Sequence, residues 1–152
     1  MKLNGYVSQL TPVVGANNNN WNLGFASTVR ATVQEVTLGG YASSSTPMET
    51  AWPRTSTAGT TPPTAGNIQR LDQTVTSAGA AANFYGALAW ATGPTRVAGG
   101  LWGVAWNSYG GVVRWLAAPG EEWDLCLSAN GIVCQEVAGT GVMTATVVWT
   151  EF

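Results

Sequence analysis

A chain of 152 residues with six Lys or Arg and eight Asp or Glu is long enough for one domain that buries about two thirds of its unfolded surface without staples. Ordinary soluble domains carry about a quarter charged residues. At 9% charged, with one lysine, no histidine, nineteen glycines and eight tryptophans, this composition reads like the core of an interface rather than a free surface. A net charge of −2 and six scattered cations, Lys2, Arg30, Arg54, Arg70, Arg96 and Arg114, leave no basic footprint, so no nucleic-acid partner is expected. There is no run of 18 apolar residues and no leader-like stretch after Met1-Lys2, so no membrane partner is expected and synthesis is expected in the cytoplasm.

In chain order, the first half is the less regular. Asn17 to Asn20 is a polar tract that reads as a loop beside Trp21. Val29, Ala31 and Val33 then alternate with Arg30, Thr32 and Gln34, after which the apolar set moves to Val36 and Leu38. That change of parity predicts a β-bulge near Gln34-Glu35. Met48 to Thr55 reads as an edge or interrupted strand, because Pro53 has no amide donor. Thr60 to Gly66, with Pro62-Pro63, reads as a stiff exposed connection, and the small residues Ser77 to Ala82 as a loop or short helix.

The second half is two-periodic almost throughout. Trp102, Val104 and Trp106 share one face, and Val112 to Ala117 is apolar on both faces except at Arg114. Ala118-Pro119-Gly120 breaks the run, Trp123, Leu125 and Leu127 lead to Asn130-Gly131, and Ile132 to Val137 return as a hairpin. Val142 to Thr150 closes the chain, with Met143, Ala145, Val147 and Trp149 facing the core. Short strands at this spacing, without repeats of 20 to 50 residues, define the expected class: all-β, an antiparallel β-sandwich of jelly-roll-like form. One domain is expected over residues 1–152, with residues 1–22 as a candidate N-terminal arm.

Cys126 and Cys134 flank the Asn130-Gly131 turn. A two-residue loop sets Cys126 opposite Gln135 and Leu127 opposite Cys134, which sends the sulfurs to opposite faces, whereas a three-residue loop brings them together. Separate reduced thiols are expected, with the bonded form as the alternative.

Without histidine, a Ser-His-Asp or Cys-His arrangement and a histidine-ligated metal are impossible, and two cysteines make no tetrathiolate site. Asp72, Glu121, Glu122 and Asp124 could supply a carboxylate pair for glycoside hydrolysis, but such a pair means little without a cleft. The doublets Gly39-Gly40, Gly99-Gly100 and Gly110-Gly111 lack the spacing and following helix of a phosphate loop. No catalysis, cofactor or metal is expected.

Arg114-Trp115-Leu116-Ala117-Ala118-Pro119-Gly120-Glu121, Ser128-Ala129-Asn130-Gly131-Ile132 and Thr144-Ala145-Thr146-Val147-Val148-Trp149-Thr150-Glu151 together resemble the ending of small jelly-roll decoration, or cement, proteins of tailed bacteriophages. The resemblance covers residues 110 to 152; Val29 to Gly39, Met48 to Gly59 and Leu71-Asp72 resemble the earlier strands and connections more loosely. It implies a virion protein on the capsid surface that bridges neighbouring subunits of the major capsid protein as a homodimer or homotrimer and performs no chemistry. A carbohydrate-binding or host-surface-binding role is the alternative, because jelly rolls host lectins and tryptophan rings stack on sugars. Trp21, Trp52 and Trp90 are its candidates for stacking on a host-surface glycan, since they lie in or beside irregular segments.

Overall fold

The computed structural model describes residues 4–10, 19–25, 30–57, 59, 64–65, 67–72, 74, 80–84, 92–126, 131–139 and 141–152. Among them the strands are β1 (Asn4–Leu10), β2 (Asn19–Phe25), β3 (Arg30–Gly40), β4 (Pro47–Ala51), β5 (Arg54–Thr55), β6 (Thr64–Ala65), β7 (Asn67–Arg70), β8 (Ala80–Phe84), β9 (Gly103–Asn107), β10 (Val112–Leu116), β11 (Trp123–Cys126), β12 (Gly131–Ala138) and β13 (Met143–Glu151). No helix occurs among the described residues. One sheet has the order β10-β3-β13-β1-β7, with β11 also on β3; the other has β6-β8-β2-β12-β4-β9, with β5 also on β12. The chain is an all-β antiparallel β-sandwich of jelly-roll-like topology.

Alternation decides which side chains fill the space between the sheets. From the first sheet come Ala31, Val33, Val36 and Leu38 of β3, Trp123 and Leu125 of β11, and Met143, Ala145, Val147 and Trp149 of β13. From the second come Trp21, Leu23, Met48, Ile132 and Cys134, and the cluster is continuous. The parity change on β3 is a bulge at Gln34: Val148 faces Glu35 and Trp149 faces Val33, so Gln34 has no opposite residue on β13. That one extra residue lets Val33 and Val36 point inward although they are three positions apart. The interruption expected at Pro53 is also present, with β4 and β5 both pairing with β12 on either side of Trp52-Pro53.

Several expectations are corrected. The Asn130-Gly131 hairpin does not form, because β11 pairs with β3 in the first sheet while β12 pairs with β2, β4 and β5 in the second. Trp123 and Leu125 enter the core from one layer and Ile132 and Cys134 from the other, so pairing β11 with β12 as a tight hairpin would remove one layer's contribution. Residues 127–130 lie outside the described residues. Gly131 is placed beside β2, where a Cβ would run into the Leu23 carbonyl, so its glycine serves a close backbone approach.

Within the span 1–22 expected as a candidate arm, Asn4–Leu10 is β1, paired with β13 from Asn4–Glu151 to Leu10–Ala145 and with β7 on its other side. Asn19 and Asn20 open β2. Ala80 to Ala82 belong to β8, not to a loop or helix; pairing with Phe25, Gly24 and Leu23 outweighs alanine's weak preference for strands. Thr64–Ala65, expected within a stiff connection, forms the short strand β6 on β8.

Candidate binding surface

Two of the three tryptophans expected as sugar platforms, Trp21 and Trp52, are core. Trp21 and Trp52 are both 0% exposed, and their ring centroids lie 5.5 Å apart. Trp52 in turn lies 6.2 Å from Trp123, which stacks on Trp115 at 4.0 Å, so four indoles run through the sandwich from β2 to β10. Stacking on a sugar needs an exposed face, and these two rings have none. Trp21 sits within β2, and Trp52 sits at the break between β4 and β5 with its side chain buried. Trp90 lies outside the described residues. Trp102, Trp106 and Trp115 are half-buried and pack against the core.

The carboxylates weighed as a glycosidase pair are dispersed along turns and outer faces. Asp72 accepts hydrogen bonds from the Thr74 amide (3.0 Å) and hydroxyl (2.7 Å). Glu122 accepts from the Gly120 amide at 2.8 Å, closing a turn in which the Glu121 amide bonds the Ala118 carbonyl at 2.9 Å and Gly120 takes φ +87°. Asp124 accepts from the Thr32 hydroxyl on the neighbouring strand at 3.0 Å. Beside the β4–β5 break, an open groove of about 350 Å³ is lined by Ala51, Pro53, Arg96, Val97, Gly100 and Gln135, among others, and contains no acid–base pair. Among the described residues no group of three or more Cys, Asp or Glu is placed to hold a metal ion, and no helix is long and apolar enough to cross a membrane.

The surface with the most distinctive chemistry is one end of the sandwich. There β3, β9 and β12 finish and β4, β10 and β13 begin, and the connections are 41–46, 108–111 and 139–142. These contain Tyr, Ser, Thr, Gly, Ala and Val and no charged residue. Tyr41 is 53% and Tyr109 61% exposed, with Val142 beside them.

Backbone bonds join the connections: Tyr41 N–H donates to the Val142 carbonyl (3.2 Å), Ala42 N–H to the Ser108 carbonyl (2.9 Å) and Gly40 N–H to the Gly111 carbonyl (2.8 Å). Asn107 and Ser108 are the hub. The Asn107 carboxamide oxygen accepts from the Thr46 and Tyr109 amides at 3.1 and 2.9 Å, and its nitrogen donates to the Ser45 hydroxyl at 2.7 Å. Ser108, fully buried, donates its hydroxyl to the Thr46 carbonyl at 3.2 Å. A Cβ on Gly40 would collide with the Ser108 backbone and one on Gly111 with the Asn107 carbonyl, while Gly110 takes φ +69°.

Two exposed tyrosines are therefore held on a rigid, uncharged platform. This composition combines large amphipathic rings with adaptable Ser and Gly groups, which suits protein recognition more than chemistry. Sequence reasoning passed over Tyr41 and Tyr109. The available signal was the mirrored pair Gly39-Gly40-Tyr41 and Tyr109-Gly110-Gly111, in which glycines crowd two backbones together and leave the rings outside.

The molecule is thus defined as a two-sheet antiparallel sandwich, without helix among the described residues, with an uncharged aromatic end. A scan against protein-family models finds no matching family, and searches of curated proteins and of solved structures find no match.

Proposed function

We propose that this chain is a structural virion protein: a decoration or cement protein that binds the outside of a phage capsid and bridges neighbouring capsid subunits, with a mechanical rather than a chemical role. The observation that carries this reading is the rigid end bearing Tyr41, Tyr109 and Val142 without a single charge. A preformed surface on an assembled lattice suits such an end, because the cost of ordering flexible side chains is already met on both sides. The resemblance of residues 110 to 152 and the β-sandwich fold support the same reading.

Clamping follows by linkage. A protein that binds the assembled lattice and not its separated subunits adds its binding free energy to the stability of the particle. The test is binding of the purified chain to capsids that lack it. Stoichiometric, saturable occupancy is expected, and Tyr41→Ala with Tyr109→Ala should reduce affinity by about a hundredfold or more, the loss typical of two aromatic anchors. Absence of saturable binding by the wild-type chain would contradict the proposal.

A further inference from the structure

A second surface lies along β10, and its hydrogen-bond parity shows what it can accept. Among the described residues β10 pairs only with β3 and ends its sheet. The Gly40 amide bonds the Gly111 carbonyl and the Ala117 amide bonds the Gln34 carbonyl, at 2.8 and 2.9 Å. In an antiparallel ladder the bonded residues alternate, so 111, 113, 115 and 117 turn their amides toward β3. Val112, Arg114 and Leu116 therefore turn their N–H and C=O groups toward the open side.

Their side chains share the outer face, with Val112 71% and Leu116 60% exposed. Edges of this kind are normally protected by charge, above all by lysine. Here Arg114 is the only charged residue between Val97 and Gly120. Its guanidinium is drawn back over β3 into a two-pronged pair with Glu35, both contacts at 2.8 Å, and so does not guard the edge.

We infer that β10 is the self-association edge of this protein, pairing antiparallel with β10 of a second copy across a two-fold axis at Arg114. The strand is self-complementary about that residue. Val112 and Leu116 stand two positions on either side, so the axis sets each against the other in the partner, and the three outward residues exchange both N–H···O=C bonds with their opposites. Charge favours a second copy over an unrelated partner. The axis sets Arg114 opposite Arg114 of the second copy, but each guanidinium is drawn back over β3 and neutralised by Glu35 of its own chain, so the pairing brings no unpaired charges together and a partner with an acidic group would have to compete with Glu35. Antiparallel pairing also sends the two tyrosine ends to opposite ends of the dimer, where each is free to bind. The inference goes beyond the capsid reading and does not depend on it.

The test uses the isolated chain, so its outcome is separate from capsid binding. Sedimentation equilibrium at tens to hundreds of micromolar should show a monomer–dimer equilibrium. Val112→Lys combined with Leu116→Lys places like charges opposite each other twice and should raise the dissociation constant about tenfold or more. Leu71→Lys, an equally exposed site just beyond β7 at the opposite side of the sheet, should leave it unchanged.

A cross-link keeps the test sound if the lysine variant folds poorly. Opposed residues in a hydrogen-bonded pair have Cα atoms about 5.5 Å apart, within disulfide range. In a Cys126→Ser background, Val112→Cys mixed with Leu116→Cys should oxidise to a mixed dimer at least about tenfold faster than either alone, since each alone holds its sulfurs about four residues apart across the axis. A chain that stays monomeric, a dimer insensitive to the double lysine variant, or equal oxidation of the mixed and separate variants would each overturn the assignment.

Discussion

Trp149 is fully buried on the core face of β13, and its indole N–H donates to the Glu151 carboxylate at 2.9 Å, so one residue anchors the sheet through both area and polarity. Truncation to alanine is expected to cost about 3–5 kcal/mol, from lost transfer energy and the cavity left behind. Phenylalanine keeps much of the ring and should cost less, a difference that denaturant titration of the two variants will read. Cys134 is a free thiol, wholly buried. Burial pushes its pKa up, and the nearby Glu136 charge adds to the shift. In a Cys126→Ser background a thiol reagent at mildly alkaline pH should therefore leave the folded chain unmodified and label it once denatured; labelling of the native state would contradict this burial.

Glu35 supplies the pH dependence. Its hydrogen bonds from Arg114 hold the carboxyl below its usual range, against a smaller opposing effect of burial. A lowered native pKa gives stability that is complete above the ordinary carboxylate range and is lost as pH falls through the lowered value. The exposed setting makes the effect small. Glu35→Gln should be slightly less stable than wild type at neutral pH, and the difference should close in strong acid; a gap that widens on acidification would reverse the sign.

At the scale of elements, the bulge on β3 is the feature on which the first sheet turns. It was legible because Ala31 and Val33 share one parity while Val36 and Leu38 share the other, and only an extra residue puts both pairs on one face. Deleting Gln34 removes the residue with no opposite on β13 and brings Val33 and Val36 two positions apart, which an unbulged strand already sets on one face, so the variant should keep a cooperative thermal melt. Loss of cooperative unfolding in this deletion variant would show that the parity argument is wrong.

The core face of β13 and the interruption at Pro53 were legible for the same reason, since alternation and a missing amide are local properties. The crossing between β11 and β12 was not. Asn130-Gly131 is a strong local signal for a hairpin, yet the strands around it bury their apolar sides from opposite layers, which no short window contains. Likewise Trp21 and Trp52 looked detached beside irregular segments, because the indole contacts that bury them come from β2, β11 and the Trp52-Pro53 break, far apart in sequence. The tyrosine end was hidden because its loops are neutral and its glycine doublets suggest nothing until the backbones they bring together are known.

At the scale of the whole molecule, no two consecutive strands among the described residues pair with each other: β13 pairs with β1 and β3, β12 with β2, and β10 with β3. Every ladder closes a long loop of chain, and such topologies fold in about milliseconds to seconds rather than microseconds. Stopped-flow refolding followed by tryptophan fluorescence should place the main phase in that range. The same sandwich presents two distinct charge-poor surfaces, the tyrosine end and the β10 edge, where Arg114 is paired with Glu35.

If, as proposed, this chain strengthens a capsid by gripping it, particle rupture measures the effect most directly. Virions assembled without the chain are heated or osmotically shocked, and release of packaged DNA is followed by nuclease sensitivity. Rupture is expected at lower temperature or milder shock than for complete particles, with resistance restored by added wild-type chain and not by the Tyr41→Ala, Tyr109→Ala double variant. Particles that lack the chain and withstand both stresses as well as complete ones would contradict it.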